Sequence, residues 1–175
     1  MTPSSFRPST RPRLLVVSPN RSHQALLTRR LGAEGYGIVT ASDGAAAFGE
    51  LHRSPIDLVL AELMMEPMSG PELTRAIREQ SAFAEIPVML IASRAEADPA
   101  VQAFAAGAED VILKPFHFEV LVARIERRRA AAARVAALRA DMDAMDARAA
   151  MRAIELGELK DRMYALEAER RRVSA

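Results

Sequence analysis

Cysteine and histidine, the residues that most often act as nucleophiles or as metal ligands, are absent or few in this chain. The sequence contains no cysteine, which excludes disulfides, thiolate metal sites and cysteine nucleophiles. Its three histidines, His23, His52 and His117, share no spacing typical of a metal site, and we expect them at the surface. We therefore expect no metal site and no cofactor.

Composition and charge narrow the class of protein further. Of the 175 residues, 50% are hydrophobic and 27% are charged, which is typical of a folded protein. The formal net charge is only +1, so no overall field draws the chain to nucleic acid or to anionic membranes. No apolar run approaches the ~18 residues of a membrane span, and Met1–Pro12 has no hydrophobic stretch suited to a signal peptide. We expect a cytoplasmic protein whose residues 1–12, with Pro3, Pro8 and Pro12, form a flexible arm.

The elements between Arg13 and about Phe116 alternate between two patterns. Short apolar runs predict strands buried on both faces of a parallel sheet, namely Leu14–Val17, Tyr36–Ala41, Ile56–Ala61, Pro87–Ile91 and Val111–Leu113. Amphipathic stretches between them predict helices, namely Asn20–Leu31, Ser42–Leu51, Pro71–Glu79 and Pro99–Ala106. This alternation predicts an α/β domain with a doubly wound, five-stranded parallel sheet. A site is then expected at the carboxyl ends of the strands.

After Phe118 the strand pattern stops, and residues 119–172 contain no proline and a single glycine, Gly157. Apolar residues recur there at alternating spacings of three and four, broken by Arg152. They predict a coiled-coil interface formed by Val135, Leu138, Met142, Met145, Ala149, Leu156, Leu159, Met163 and Leu166. Because a single helix cannot bury such a stripe, residues 119–175 are predicted to dimerise.

The orientation of that dimer is only partly determined by its charges. In a parallel pair, Glu155 meets Lys160 and Arg162 meets Glu167, which is favourable. Two other pairs, Asp141 with Asp146 and Arg134 with Arg139, repel. We favour a parallel dimer that holds two globular domains side by side, and an antiparallel or higher-order bundle remains open.

The globular part resembles a response-regulator receiver domain, over about Arg13–Arg128. The matching stretches are LLVVSPN, IDLVLAELMMEPMSGPEL, IPVMLIAS and GAEDVILKPFHFEVLVARI. The last is the most specific, because Gly107-Ala108 and Lys114-Pro115-Phe116 stand at the spacing of the family. The resemblance implies a flavodoxin-like fold over residues 13–118.

The resemblance also implies a phosphoryl-acceptor pocket that this chain has largely lost. In the family, an aspartate ending the third strand accepts phosphate from a histidine kinase, and an acidic pair after the first strand holds Mg²⁺. Here the acidic pair falls on Ser18 and Pro19, so no carboxylate remains. The acceptor falls on Glu62, which is one methylene longer than aspartate.

Three further positions of the family complete the comparison. The hydroxyl residue of the fourth strand falls on Ala92, and the adjacent Ser93 is a poor substitute because neighbouring strand residues point to opposite faces. The switch aromatic of the fifth strand falls on Val111. Only Lys114 is retained, and we expect it to pair with Glu62 and to precede a cis bond to Pro115.

Three interpretations of Glu62 follow: a leftover polar residue paired with Lys114, a permanent stand-in for the phosphorylated state, or a phosphorylated residue. Its single charge, and the lack of a metal site, make the first the leading one and the last the weakest. The resemblance thus indicates a pseudo-receiver.

The leading functional hypothesis is a non-enzymatic adaptor of bacterial signalling that binds protein partners without phosphorylation. One alternative is the regulatory half of a longer signalling enzyme, such as a cyclic-dinucleotide synthase or a kinase. Another is a nucleic-acid-binding regulator, acting through Arg127–Arg134 or through an output module that this sequence does not contain. Residues 119–175 carry a net charge of +3 and no asparagine, so a solvated helix face is the better account of that basic cluster.

Overall fold

A computed structural model describes residues 11–96 and 98–173. The flexible arm predicted for residues 1–12 lies outside the described residues except for its last two. Five strands are present: β1 (Arg13–Val17), β2 (Gly37–Ala41), β3 (Leu58–Glu62), β4 (Val88–Ser93) and β5 (Asp110–Lys114). Five helices alternate with them: α1 (Arg21–Ala33), α2 (Gly44–Arg53), α3 (Gly70–Glu79), α4 (Pro99–Ala105) and α5 (Phe118–Val173).

The strands form one parallel sheet in the order β2-β1-β3-β4-β5, which confirms the predicted fold class. The central strands are apolar at nearly every position because helices cover both faces of the sheet. Alternate residues of each strand point to opposite faces. On one face, Val59 and Leu90 pack against α2, α3 and α4, whereas on the other Leu60 and Met89 pack against α1 and the start of α5.

Short polar side chains fix where the helices begin. The side chain of Asn20 accepts a hydrogen bond from the backbone N–H of His23 at 3.0 Å and caps α1. Asp43 caps α2 through the N–H of Ala46, and that hydrogen bond lowers the pKa of the Asp43 carboxyl. A capping box between Ser69 and Glu72 begins α3. These caps place the helix N-termini at the carboxyl edge of the sheet, after short turns for α1 and α2 and after a longer loop for α3.

The described residues up to Ala133 form one compact unit, and those from Arg134 form a second. Helix α5 continues through Gly157, so the predicted heptad residues all lie on helix. In the second unit those residues are exposed. None of the helices in the described ranges combines the length and the apolar character that crossing a membrane requires.

Candidate functional site

The polar residues of the carboxyl edge come from four different strands. Ser18 follows β1, Glu62 ends β3, Ser93 ends β4 and Lys114 ends β5. Because all strands run parallel, these ends meet at one edge of the sheet, where α/β proteins of this architecture place their sites. The register pairs Ser93 directly with Lys114.

Glu62 lies at the centre of this edge and is held by Lys114. The Nζ of Lys114 lies 2.7 Å from both carboxylate oxygens of Glu62. The side chain of Glu62 is 12% exposed, whereas that of Lys114 is 37% exposed. The pairing expected from the sequence is therefore present, with the carboxylate as its buried member.

His23 is a second partner of Glu62, and the expectation that it is a surface residue was wrong. Its Nδ1 lies 2.6 Å from Oε1 of Glu62, and its side chain is 19% exposed. An ionised carboxylate only accepts hydrogen bonds, so Nδ1 is the donor in this contact whenever Glu62 is ionised. The cause is the position of His23 in the first turn of α1, three residues after Asn20, where helical side chains lean back toward the N-terminus and the sheet edge.

The segment after β1 supplies hydroxyl and backbone groups in place of carboxylates. Ser18 is buried, and its Oγ lies 3.4 Å from Oε1 of Glu62 and accepts a hydrogen bond from the N–H of Asn20. Pro19 is exposed. The amide of Gln24 donates to the carbonyls of Ala41 and Ser18, at 2.7 and 3.4 Å, and fixes this segment against β2.

The two remaining positions of the predicted pocket, Ala92 and Val111, are apolar. Ala92 is fully buried, and Val111 packs against the core beneath α4. Ser93 is engaged locally, because its Oγ accepts from the N–H of Ala95 and its own N–H donates to Glu96. Among the described residues, no hydroxyl group of β4 forms a hydrogen bond with Glu62.

This arrangement does not fit a magnesium ion. Mg²⁺ requires near-octahedral oxygen coordination, and proteins usually bind it through one or two carboxylates together with phosphate oxygens and several waters. Here Glu62 supplies the carboxylate, and its oxygens already accept hydrogen bonds from Lys114 and His23. The two residues after β1 add no charge. In the described part of the chain, no group of three or more His, Asp or Glu is arranged to hold a metal.

A cavity of about 330 Å³ opens beside the site. Its walls include His23, Lys114, Leu26 and Phe116. The guanidinium of Arg30 lies 3.8 Å above the ring of Phe118 at its rim. Sequence reasoning missed this cavity, because it depends on how α1 packs against the segment between β5 and α5.

Comparison with known proteins places this geometry in a family. The family model of the response regulator receiver domain matches residues 14–126. The chain is 33% identical over 117 residues to the sensor histidine kinase TmoS of Ectopseudomonas mendocina, covering 67% of this chain and 12% of that protein. It is also 33% identical over 118 residues to the DNA-binding response regulator MtrA of Mycobacterium tuberculosis (strain ATCC 25618 / H37Rv), covering 67% of this chain and 50% of MtrA.

Solved structures agree with the sequence relatives. The chemotaxis response regulator CheY4 of Vibrio cholerae superimposes with a TM-score of 0.63 at 26% identity, over 68% of this chain and 99% of that chain. The receiver domain of a histidine kinase from Syntrophus aciditrophicus gives a TM-score of 0.65 at 26% identity, over 69% of this chain and 91% of that chain. The chain spans half or less of the length of the two curated relatives. Through residues 14–126, it belongs to the response regulator receiver domain family of two-component signalling.

Proposed function

We propose that this protein is a non-enzymatic signalling adaptor whose receiver domain works without phosphoryl transfer. The observation that carries the proposal is the state of Glu62: Lys114 and His23 hold its carboxylate where no acidic pair stands beside it. Phosphoryl transfer depends on positioning and on neutralising charge, which the metal supplies in this family. The residues after β1 provide neither.

Glu62 also lacks the contacts that would report a phosphorylated state. The position that supplies a hydroxyl in the family is the buried Ala92, and the switch position is Val111. A single carboxylate charge neutralised by Lys114 leaves little field to move either segment. We therefore assign Glu62 a structural role in the pocket, in preference to a permanent imitation of acyl phosphate.

An exposed apolar surface on α4 and β5 supports binding of a protein partner. Val101, Phe104 and Leu113 are 65%, 53% and 39% exposed. Large apolar side chains clustered at a surface are typical of interaction sites. We propose that this surface contacts the partner and is available independently of phosphorylation.

The exposed stripe of α5 supports dimerisation. We expect a Leu138→Ala/Leu159→Ala variant to shift the protein toward monomer, because it removes apolar area from two layers of the stripe. Light scattering across a concentration series measures the shift, with Ala150→Ser on the same helix as the control. An unchanged dimer in the double variant contradicts a role for the stripe.

The curated relatives favour a second candidate function, a regulatory segment of a longer signalling protein. TmoS is a sensor histidine kinase and MtrA a DNA-binding response regulator, and the chain spans only 12% and 50% of them. The sequence of the reading frame around residues 1–175 decides this directly. If residues 119–175 bound DNA through their basic side chains, the affinity would fall steeply as the salt concentration rises. We expect no such binding.

A magnesium titration tests the altered site. We expect added MgCl₂ to cause no saturable change in the backbone amide NMR signals of Ser18, Glu62 and Lys114, because Glu62 alone supplies a carboxylate. A Ser18→Asp/Pro19→Asp variant, which restores the acidic pair, serves as the comparison. Saturable shifts in the unaltered protein contradict the proposal.

A further inference from the structure

We propose that the partner of the exposed stripe on α5 is a second copy of this chain that runs antiparallel to the first. This inference rests on the dimerisation proposed above and specifies its orientation and register. In the second unit, the eight large apolar residues of the stripe are between 42% and 66% exposed, so each needs a covering surface. Alternating spacings of three and four are typical of pairing between helices.

Two copies of the stripe fit together when the helices run in opposite directions. When Val135 of one copy faces Leu166 of the other, every large apolar residue meets another across the interface. The remaining layers pair Leu138 with Met163, Met142 with Leu159, and Met145 with Leu156. At the centre, Arg152 faces the small Ala149, and its aliphatic stem can cover the alanine while the guanidinium reaches water.

The flanking charges select this register. In an antiparallel pair, the residue directly before the first apolar position of a heptad, such as Arg134 before Val135, faces the equivalent position of the other helix. These positions pair Arg134 with Glu169, Asp141 with Arg162, and Arg148 with Glu155, and all three pairs are opposite in sign. On the other flank, Arg139 meets Lys160, which repels, and Asp146 meets the neutral Ala153. Two-fold symmetry repeats every pair.

The parallel alternative is poorer on the same residues. It places Arg152 against Arg152 in the apolar layer, where two buried cations repel. Its flanks contain two attractive pairs, which involve Glu155 and Arg162, and two repulsive pairs, which involve Arg134 and Asp141. On these residues an antiparallel dimer is more favourable than the parallel dimer expected from the sequence. In this register Val135 of one copy lies beside Leu166 of the other, so the two Val135 residues are roughly 46 Å apart along the dimer, at about 1.5 Å per helical residue.

Cysteine cross-linking tests the orientation, because the chain has no cysteine of its own. In the proposed register, Met142 of one copy meets Leu159 of the other, whereas the two Met142 residues lie roughly 26 Å apart, far beyond disulfide reach. We expect Met142→Cys and Leu159→Cys to form disulfide dimers only when the two variants are mixed, allowed to exchange and oxidised. Cross-linking of either variant with itself identifies a parallel dimer and overturns the proposal.

Reversing one charge provides an independent test, because it weakens an antiparallel dimer and strengthens a parallel one. Asp141→Arg is expected to weaken the dimer about tenfold in the antiparallel register, because the new arginine faces Arg162 twice, and Arg162→Asp in the same chain restores it. In a parallel dimer the new arginine faces Asp146, so the dimer strengthens. A monomeric wild type by light scattering refutes the proposed dimerisation itself. A wild-type dimer without mixed cross-links refutes only this register.

Discussion

Replacing Gly70 with alanine is expected to destabilise the receiver domain by about 3 kcal/mol, at the upper end of the cost of overpacking. Gly70 begins α3, and a Cβ at this position would lie 2.5 Å from the carbonyl oxygen of Glu62 and 3.0 Å from Cδ2 of Leu90. Its N–H donates to the carbonyl of Leu63 at 2.9 Å, so the backbone cannot move away without losing that bond. Urea unfolding followed by circular dichroism measures the loss.

A matched control lies in α2. Gly49 has no atom within 4 Å of a Cβ built on it, and it lies inside a helix, so Gly49→Ala is expected to stabilise the domain by about 1 kcal/mol. Equal midpoints for Gly70→Ala and the wild type would show that the close approach of α3 to the end of β3 is not as described.

Replacing Lys114 with methionine is expected to cost about 2 kcal/mol of unfolding free energy. The substitution leaves the Glu62 carboxylate, 12% exposed, with His23 and Ser18 as its remaining side-chain partners. Breaking a fully buried ion pair costs about 3–5 kcal/mol, and the 37% exposure of Lys114 reduces that figure. Denaturant titration at neutral pH measures the cost.

A double-mutant cycle separates this pair from its surroundings. Glu62→Gln removes the charge that Lys114 neutralises, so Lys114→Met should cost less in the Glu62→Gln background than in the wild type. If the two losses simply add, the ion pair contributes nothing to stability, and its role in holding the pocket is wrong.

The receiver fold could be predicted from the sequence because each strand is an apolar run and each helix is amphipathic. Ile56 and Asp57 show the limit of that reasoning: the predicted strand Ile56–Ala61 begins at Leu58 and ends at Glu62. Asp57 instead accepts a hydrogen bond from the N–H of Arg13 at 2.6 Å, a contact 44 residues away in sequence. Boundaries depend on such distant partners, which a local pattern does not contain.

The candidate site was predictable only in part. Lys114 and Glu62 end their strands, so their meeting follows from a parallel sheet. His23 was missed because spacing along the chain was the criterion, and its link to Glu62 spans 39 residues. The informative signal was local: a capping Asn20 directly after a buried strand places the first turn of α1 at the edge where the strands end.

Mass spectrometry of the intact protein after incubation with acetyl phosphate and Mg²⁺ tests the central claim most directly. A receiver that retains the acidic pair serves as the positive control. The Ser18→Asp/Pro19→Asp/Glu62→Asp variant tests whether the missing carboxylates explain why the unaltered protein is not phosphorylated. We predict that the unaltered protein gains no phosphoryl group while the positive control does. A phosphoryl group mapped to Glu62 in the unaltered protein would contradict the account.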